Sequence, residues 1–303
     1  MEFFPWCTPS IIGVMEVKAR LDQRLTALVH TTMLRSLPSE TLDLIADHLH
    51  DDPAALKACC IASKPWVPRT RKHIFAHVEF HAQKAHIERW KKIFPDPSKS
   101  PARHTRSLSI HGLSAVTAAG TDAGGWIRTF HKVVHLRLES LDGRDQQAFL
   151  IPFHGLSPTV KSLHLTFYPS ATFFEVFDLA CSFPLLEDLA VISFGPESNN
   201  GRWNAPSTSP KLTGSLDLKT IGGTRSVIHR LLNLPHGLHF AKITVSCLSR
   251  DFELTTELVS RCSGTLESLT IYNWLLGAFS LASVIGQRLT IARRHGRVRD
   301  AFA

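Results

Sequence analysis

The sequence has few cysteines, and none of its six stands in a C-x-x-C pair. The close spacing that marks many paired-thiol sites is therefore missing. Because the six cysteines are scattered through apolar surroundings, they predict reduced, buried thiols in an intracellular protein. The adjacent pair Cys59 and Cys60 has no obvious base beside it, so we interpret it as structural rather than nucleophilic.

Targeting and membrane signals are also missing. The N-terminus has no basic stretch ahead of its apolar residues, which argues against a signal peptide. The most apolar late stretch, residues 274–286, is too short to span a bilayer. We expect a soluble protein of the cytoplasm, the nucleus or both.

Catalytic motifs are the third absence. The chain contains no G-x-S-x-G elbow, no phosphate-binding glycine loop and no spaced pair of carboxylates. Its glycine clusters, "GTDAGGW" and "TIGGT", fit turns between structural elements better than a P-loop. We therefore expect a protein that is not an enzyme and needs no cofactor.

What is present is an ordinary globular composition. The chain has 303 residues, of which 44% are hydrophobic and 20% charged, so it can bury a sizeable core. Its formal net charge of +8 permits acidic partners such as nucleic acid but does not require them.

A compact helical unit is predicted over residues 34–75. Pro38 suits the first turn of a helix, and apolar residues then recur at helical spacing through Leu49. Asp52 and Pro53 begin a second helix, and a short third helix follows near residues 69–75. Residues 1–33 form an N-terminal extension with a helical apolar pattern. Forty residues in small helices bury little alone, so this unit needs a neighbour or a partner.

A basic connector is predicted over residues 76–106. Its "HVEFHAQKAH" stretch places His77, Glu79, His81 and His86 together, but no third metal ligand is evident beside a suitable pair. We therefore predict no metal site. The connector and the basic C-terminal residues leave nucleic-acid binding as an alternative, although no stacking aromatics are interleaved with their charges.

Residues 107–274 contain seven similar segments built on an L-x-L pair. The pairs recur every 26 to 28 residues, a period that indicates a solenoid. The position three beyond each pair was not used to find the segments, yet it is apolar in all seven. The remaining residues, 275–303, are predicted to form a C-terminal cap and a basic tail. The first residues of the pairs are Leu108, Leu136, Leu163, Leu189, Leu216, Ile243 and Leu269.

The unit from Leu37 to Trp66 resembles an F-box. It has the L-P start, an acid two residues later, an apolar helix, a second helix, and a Ser followed by Trp. The resemblance implies docking on a Skp-type adaptor and, through it, on a cullin-RING ubiquitin ligase. The implied set of residues, shared between adaptor contact and core, is Leu37, Pro38, Leu42, Ile45, Leu49, Leu56 and Trp66.

The seven segments resemble leucine-rich repeats in which large apolar residues replace the family's asparagine. An F-box followed by irregular leucine-rich repeats is typical of fungal F-box proteins. The expected fold class is α/β: a small all-α three-helix F-box, then an irregular solenoid with a curved parallel sheet of about seven repeats. The resemblance implies a substrate-recognition subunit whose repeats recruit an unidentified protein. The alternative is a repeat scaffold outside any ligase.

Within each L-x-L pair the middle residue points away from the core, because successive side chains in a strand alternate between faces. Such residues are expected to face a concave binding surface. Their polarity fits that role, although an unliganded solvated face would be equally polar. The predicted substrate-facing residues are Ser109, Arg137, His164, Asp217, Thr244 and Thr270.

Overall fold

A computed structural model describes residues 38–62, 64–81, 84–112, 123–141, 150–156, 158–167, 173–194, 210–221, 224–247, 251–273 and 287–292. The chain divides into two compact units, with the boundary between Ile74 and Phe75. The predicted N-terminal extension and the predicted cap over residues 275–285 lie outside the described residues.

The described part of the first unit is helical. It contains helices α1 (Ser39–His48), α2 (Pro53–Ala62) and α3 (Val67–Ile74), with a short 3₁₀ turn (Lys64–Trp66) before α3. The Asp52 side chain accepts hydrogen bonds from the backbone amides of Ala54 and Ala55, at 3.0 and 2.9 Å, and so caps α2. Pro53 stands at the first position of α2, where a missing amide hydrogen is tolerated.

The second unit is built on one sheet of nine strands whose spatial order equals their order in the sequence. The first eight strands are parallel, and the ninth pairs antiparallel with the eighth. The chain is therefore α/β with a parallel sheet. The strands are β1 (His77–Phe80), β2 (Ser107–His111), β3 (His135–Leu141), β4 (Ser162–Phe167), β5 (Asp188–Phe194), β6 (Ser215–Ile221), β7 (Lys242–Cys247), β8 (Ser268–Asn273) and β9 (Gln287–Ala292).

Helical segments lie between most successive parallel strands, as is usual for such crossovers, whereas the described residues between β5 and β6 contain none. Two 3₁₀ turns (Pro97–Lys99 and Pro101–His104) precede β2, and a third (Ile151–Leu156) precedes β4. The α-helices of this unit are α4 (Lys84–Ile93), α5 (Ala123–Ile127), α6 (Phe173–Cys181), α7 (Thr224–Leu232) and α8 (Phe252–Arg261).

The core of the second unit comes from the repeated apolar positions. Both leucines of a pair such as Leu163 and Leu165 are fully buried, while the residue between them is not. The apolar residue three positions before a pair is also buried wherever the sequence supplies one: Val133, Val160, Leu186, Phe240 and Leu266. Burial of each such side chain contributes about 1.5–3 kcal/mol, so the repeated pattern contributes substantially to stability. For the position three beyond each pair, no side chain is among those that the structure describes.

Two regions hold more regular structure than the sequence patterns predict. The predicted connector over residues 76–106 contains β1, α4 and two 3₁₀ turns, and β1 pairs with β2. The parallel sheet thus has one strand more than the seven repeats supply. Similarly, β9 lies in the segment predicted as cap and basic tail. Strand β1 has Val78 and Phe80 at the paired positions, while β9 repeats the Leu-Thr-Ile pattern of β8 at Leu289 to Ile291 but lies beyond the run of seven segments.

Candidate functional site

The predicted adaptor-binding residues fall into two groups in the helical unit. Leu42, Leu56 and Trp66 are buried, with exposed fractions of 5%, 1% and 7%, and Leu42 and Trp66 belong to the apolar cluster of the unit. Pro38 and Ile45 are exposed, and Leu49 is half-buried. Leu37 lies outside the described residues. The first group therefore supports the fold of the unit, and the second is accessible to a partner.

Two large apolar side chains on this unit were not predicted. Leu44 in α1 is 63% exposed and Ile61 in α2 is 77% exposed, more than Ile45 at 38%. Both lie off the apolar stripe that helical periodicity identifies. Their only sequence signal is that they are apolar where a helix surface is normally polar. Leu44, Ile45 and Ile61 are called the exposed apolar set below.

An acid–base cluster connects α1 to α3. The Asp47 carboxylate accepts hydrogen bonds from the Arg69 guanidinium and lies 2.6 Å from Nε2 of His73. These two partners, Arg69 foremost, hold the pKa of Asp47 well below its ordinary value. The cluster orients α3 against α1, the helix that carries two of the exposed apolar set.

A second set of polar contacts joins α2, the turn before α3 and α3 itself. The Thr70 hydroxyl donates to the carbonyl oxygen of Trp66 at 2.7 Å, and Sγ of Cys60 lies 2.7 Å from the same hydroxyl oxygen. Thr70 is completely buried. The thiol of Cys60 thus takes part in helix packing, but Cys59 and Cys60 are half-buried, whereas Cys181 and Cys262 are buried as predicted.

The predicted substrate-facing residues lie in one lateral row across the sheet. Each is the register partner of the next, from β2 to β8, with Ala190 completing the row in β5. Glu79 of β1 extends the row at its first strand. We call the sheet face that carries this row the polar face. Its members in strand order are Ser109, Arg137, His164, Ala190, Asp217, Thr244 and Thr270.

Accessibility along the row declines toward its end. Arg137 is exposed, Ser109, His164, Asp217 and Thr244 are half-buried, and Thr270 is 8% exposed. The β2 to β7 part of the row is therefore accessible to a partner, whereas its member in β8 is buried.

Charges on the polar face are paired locally. The Arg137 guanidinium binds the Glu139 carboxylate two residues along the same strand, and Lys219 donates to Asp217 at 2.7 Å. Burial, together with the nearby charge of Arg137, lowers the pKa of His164 below its ordinary value. His164 is therefore a neutral imidazole at physiological pH and can both donate and accept one hydrogen bond.

The histidine-rich stretch after β1 is the other polar cluster. The sequence interpretation grouped His77, Glu79, His81 and His86, whereas the fold brings Glu79 and His81 to His111 of β2. The His81 and His111 rings are stacked with centroids 5.2 Å apart. Among the described residues, these three make up the group of side chains with donor atoms close enough to share a metal ion. The sequence could not show this, because 30 residues separate His81 from His111.

Comparison with known proteins found no match to any protein-family model, curated protein or solved structure. Within the described residues, no helix is both long and apolar enough to cross a bilayer.

Proposed function

We propose that this chain is the substrate-recognition subunit of a Skp–cullin–F-box type ubiquitin ligase. The helical unit docks on the Skp-type adaptor, and the polar face of the sheet recruits a protein substrate. The observation that carries the proposal is the exposed apolar set on a unit whose sequence resembles an F-box. The chain performs no chemistry itself, and its site of action is the cytoplasm or the nucleus.

The size of the helical unit supports a docking role. Its buried apolar cluster consists of Leu42, Ala46 and Trp66, with Cys59 packed against it. Leu44, Ile45 and Ile61 meanwhile remain in solvent. Covering side chains of this size gains about 1.5–3 kcal/mol each. Three of them supply enough to offset part of the entropy lost on association.

The polar face supports recruitment of a protein rather than a small molecule. Its row of seven residues crosses seven neighbouring strands about 4.8 Å apart, so it spans roughly 29 Å. A surface of that length suits a folded domain or an extended peptide. The row offers a guanidinium, an imidazole, a carboxylate and hydroxyls, which are hydrogen-bonding groups suited to a polar partner.

Co-expression of the full chain with a Skp-type adaptor tests the adaptor step. We expect a 1:1 complex in size-exclusion chromatography that Ile45→Asp and Ile61→Asp each disrupt. Both side chains are exposed, so neither substitution places a charge in the core. Leu185→Asp is the matched control, because Leu185 is 51% exposed but belongs to the second unit.

Failure of the wild-type chain to co-elute with the adaptor would overturn the proposal. A monodisperse chain without adaptor would instead favour a repeat scaffold outside any ligase. The burial of Leu42, Leu56 and Trp66 within the helical unit would then account for its apolar sequence.

A further inference from the structure

A set of nitrogen and oxygen donors meets at the β1–β2 edge of the polar face. Phe80 of β1 pairs with Ile110 of β2, so His81 and His111, one residue further along, are neighbours. Oε1 of Glu79 lies 2.6 Å from Nε2 of His111 and 3.8 Å from Nε2 of His81. The three donor atoms all lie within 4.8 Å of one another.

The other ring nitrogen of His111, Nδ1, is contacted by a second carboxylate. Glu139, its register partner in β3, contacts Nδ1 of His111 and is itself bound by Arg137. A carboxylate beside Nδ1 accepts a hydrogen bond from the protonated Nδ1, so the lone pair of the neutral ring is on Nε2. This is the arrangement by which outer carboxylates orient metal-binding histidines.

The Nε2 atom of His111 is in an unusual position. It is shielded from solvent, and within the described part of the chain it makes no hydrogen bond of acceptable geometry, although Glu79 Oε1 is 2.6 Å away. If Nε2 carries a lone pair, it faces a carboxylate lone pair at that distance. A cation between the two atoms would remove this repulsion.

We propose that Glu79, His81 and His111 form a binding site for a divalent transition-metal ion, with Zn²⁺ the best-matched candidate. Two imidazoles and one carboxylate suit zinc and its neighbours rather than Mg²⁺ or Ca²⁺, which prefer oxygen ligands only. Glu139 serves as the outer partner that orients His111. The half-exposed carboxylate and His81 leave a fourth coordination position accessible to water or to a partner's side chain.

The distances permit this with small adjustments. A tetrahedral ion with bonds of 2.0–2.1 Å requires donor atoms about 3.3 Å apart. The Glu79–His111 and Glu79–His81 distances of 2.6 and 3.8 Å bracket that value. The Glu79 and His81 side chains are 53% and 61% exposed. Rotation of Glu79 can adjust both distances, and rotation of His81 out of its stack on His111 can turn its Nε2 toward the same ion.

A metal-free explanation of the same contacts makes opposite predictions. A doubly protonated His111 bridging Glu79 and Glu139 would also place both carboxylates near the ring. In that case His81 plays no part, and Zn²⁺ gains no site. The role of His81 therefore separates the two explanations.

The experiment is a Zn²⁺ titration of the tag-free, full-length chain in competition with a chromophoric chelator. We expect one site per chain that His81→Ala and His111→Ala each weaken by about tenfold or more, and Glu139→Gln by about 10–100-fold. His135→Ala is the matched control, since His135 is exposed on the neighbouring strand β3 but outside the cluster. The control variant should bind like the wild type.

Thermal unfolding provides the second readout. At the same Zn²⁺ concentration, the midpoint of the wild type and of His135→Ala should rise clearly more than that of His81→Ala, because the shift depends on the ratio of metal concentration to Kd. His81→Ala removes the ring that stacks on His111, so the midpoint of each variant without Zn²⁺ is measured first, and the Zn²⁺-dependent shift is taken from that variant's own baseline. Equal Zn²⁺ affinity and equal shifts in the wild type and His81→Ala would overturn the proposal, as would the absence of tight one-site binding.

Discussion

The carboxylate of Asp47 in α1 accepts hydrogen bonds from the guanidinium of Arg69 in α3. Two short helices that share only a small apolar cluster are thereby joined by a charged pair. The Asp47 side chain is 37% exposed, so solvent screens the pair, and its contribution to stability is modest. Its main effect is on the relative orientation of α1 and α3.

Replacement of Asp47 by Asn should loosen the helical unit at neutral pH. In the folded state, Arg69 and His73 hold the pKa of Asp47 below its ordinary value of 3.8. A lowered carboxyl pKa stabilises the fold at pH values above the unfolded pKa, and this stabilisation disappears as the pH falls through the folded value. Hydrogen-exchange mass spectrometry should show faster exchange in residues 39–74 of Asp47→Asn at neutral pH, with the difference from wild type shrinking in acid.

Asp43→Asn is the control for that change, because Asp43 is an exposed carboxylate on the same helix. Exchange in α1 and α3 that is as fast in Asp43→Asn as in Asp47→Asn would contradict the assignment of orientation to the Asp47 cluster.

Gly214 should not tolerate a side chain. A Cβ atom at this position would lie 2.5 Å from Oδ1 of Asp188 and 2.9 Å from the carbonyl oxygen of Glu187. The Gly214 amide donates to that same carbonyl at 3.0 Å, so the two backbones cannot separate without losing the bond. We expect Gly214→Ala to reduce the free energy of unfolding by about 1–3 kcal/mol. Denaturant unfolding of the full chain measures this.

Gly264→Ala is its matched control, since a Cβ atom at Gly264 meets no atom within 4 Å. If both variants unfold at the same denaturant concentration, the short distances from Gly214 to Glu187 and Asp188 do not explain why this position is glycine.

The interior strand β4 should be sensitive to loss of core volume. Leu165 is completely buried, so Leu165→Ala removes contacts on every side and leaves a cavity. Such substitutions reduce the free energy of unfolding by about 2–5 kcal/mol. Leu185→Ala, at a 51% exposed leucine, should change it by less than about 0.5 kcal/mol. Calorimetry of both variants tests the difference, and similar effects would count against the core placement of Leu165.

Cys181 should be unreactive in the folded protein. Burial, aided by the charge of Asp178, raises the pKa of its thiol from 9.0 to about 12. That change lowers the thiolate fraction at neutral pH by about a thousandfold. Alkylation followed by peptide mass spectrometry should therefore label Cys181 slowly in native protein and rapidly in denaturant. Comparable native and denatured rates would show that the thiol is accessible.

The repeated leucines made most of the sheet predictable. Each L-x-L pair places two side chains on the same face of a strand, and a constant period stacks the strands in register, as at Leu136 and Leu163. Strand β1 escaped this reasoning because its Val78 lies 30 residues before Leu108, outside the repeat period, and the strand is only four residues long. Four residues of alternation are too few to distinguish a strand from a helix or loop by pattern alone.

The side-chain clusters were much harder to predict. The Asp47–Arg69 pair depends on how α1 and α3 pack, and the meeting of Glu79 with His111 depends on strand register. Neither relationship is encoded in local spacing. Likewise, helical periodicity identified the buried stripe that contains Leu42 but not the exposed Leu44 and Ile61. The reason is that the periodic apolar positions are those on the core-facing side of a helix.

Agreement between spatial and sequential strand order bears on how the chain is made. From β2 to β8, each parallel strand pairs with the one that precedes it in sequence, so its template already exists when the ribosome releases it. The sheet can therefore grow during synthesis by successive short loop closures, without awaiting a distant segment. The edge of β8 stays open until β9 emerges and closes it from the opposite direction. A nascent chain stalled between these two strands would expose that edge to other chains.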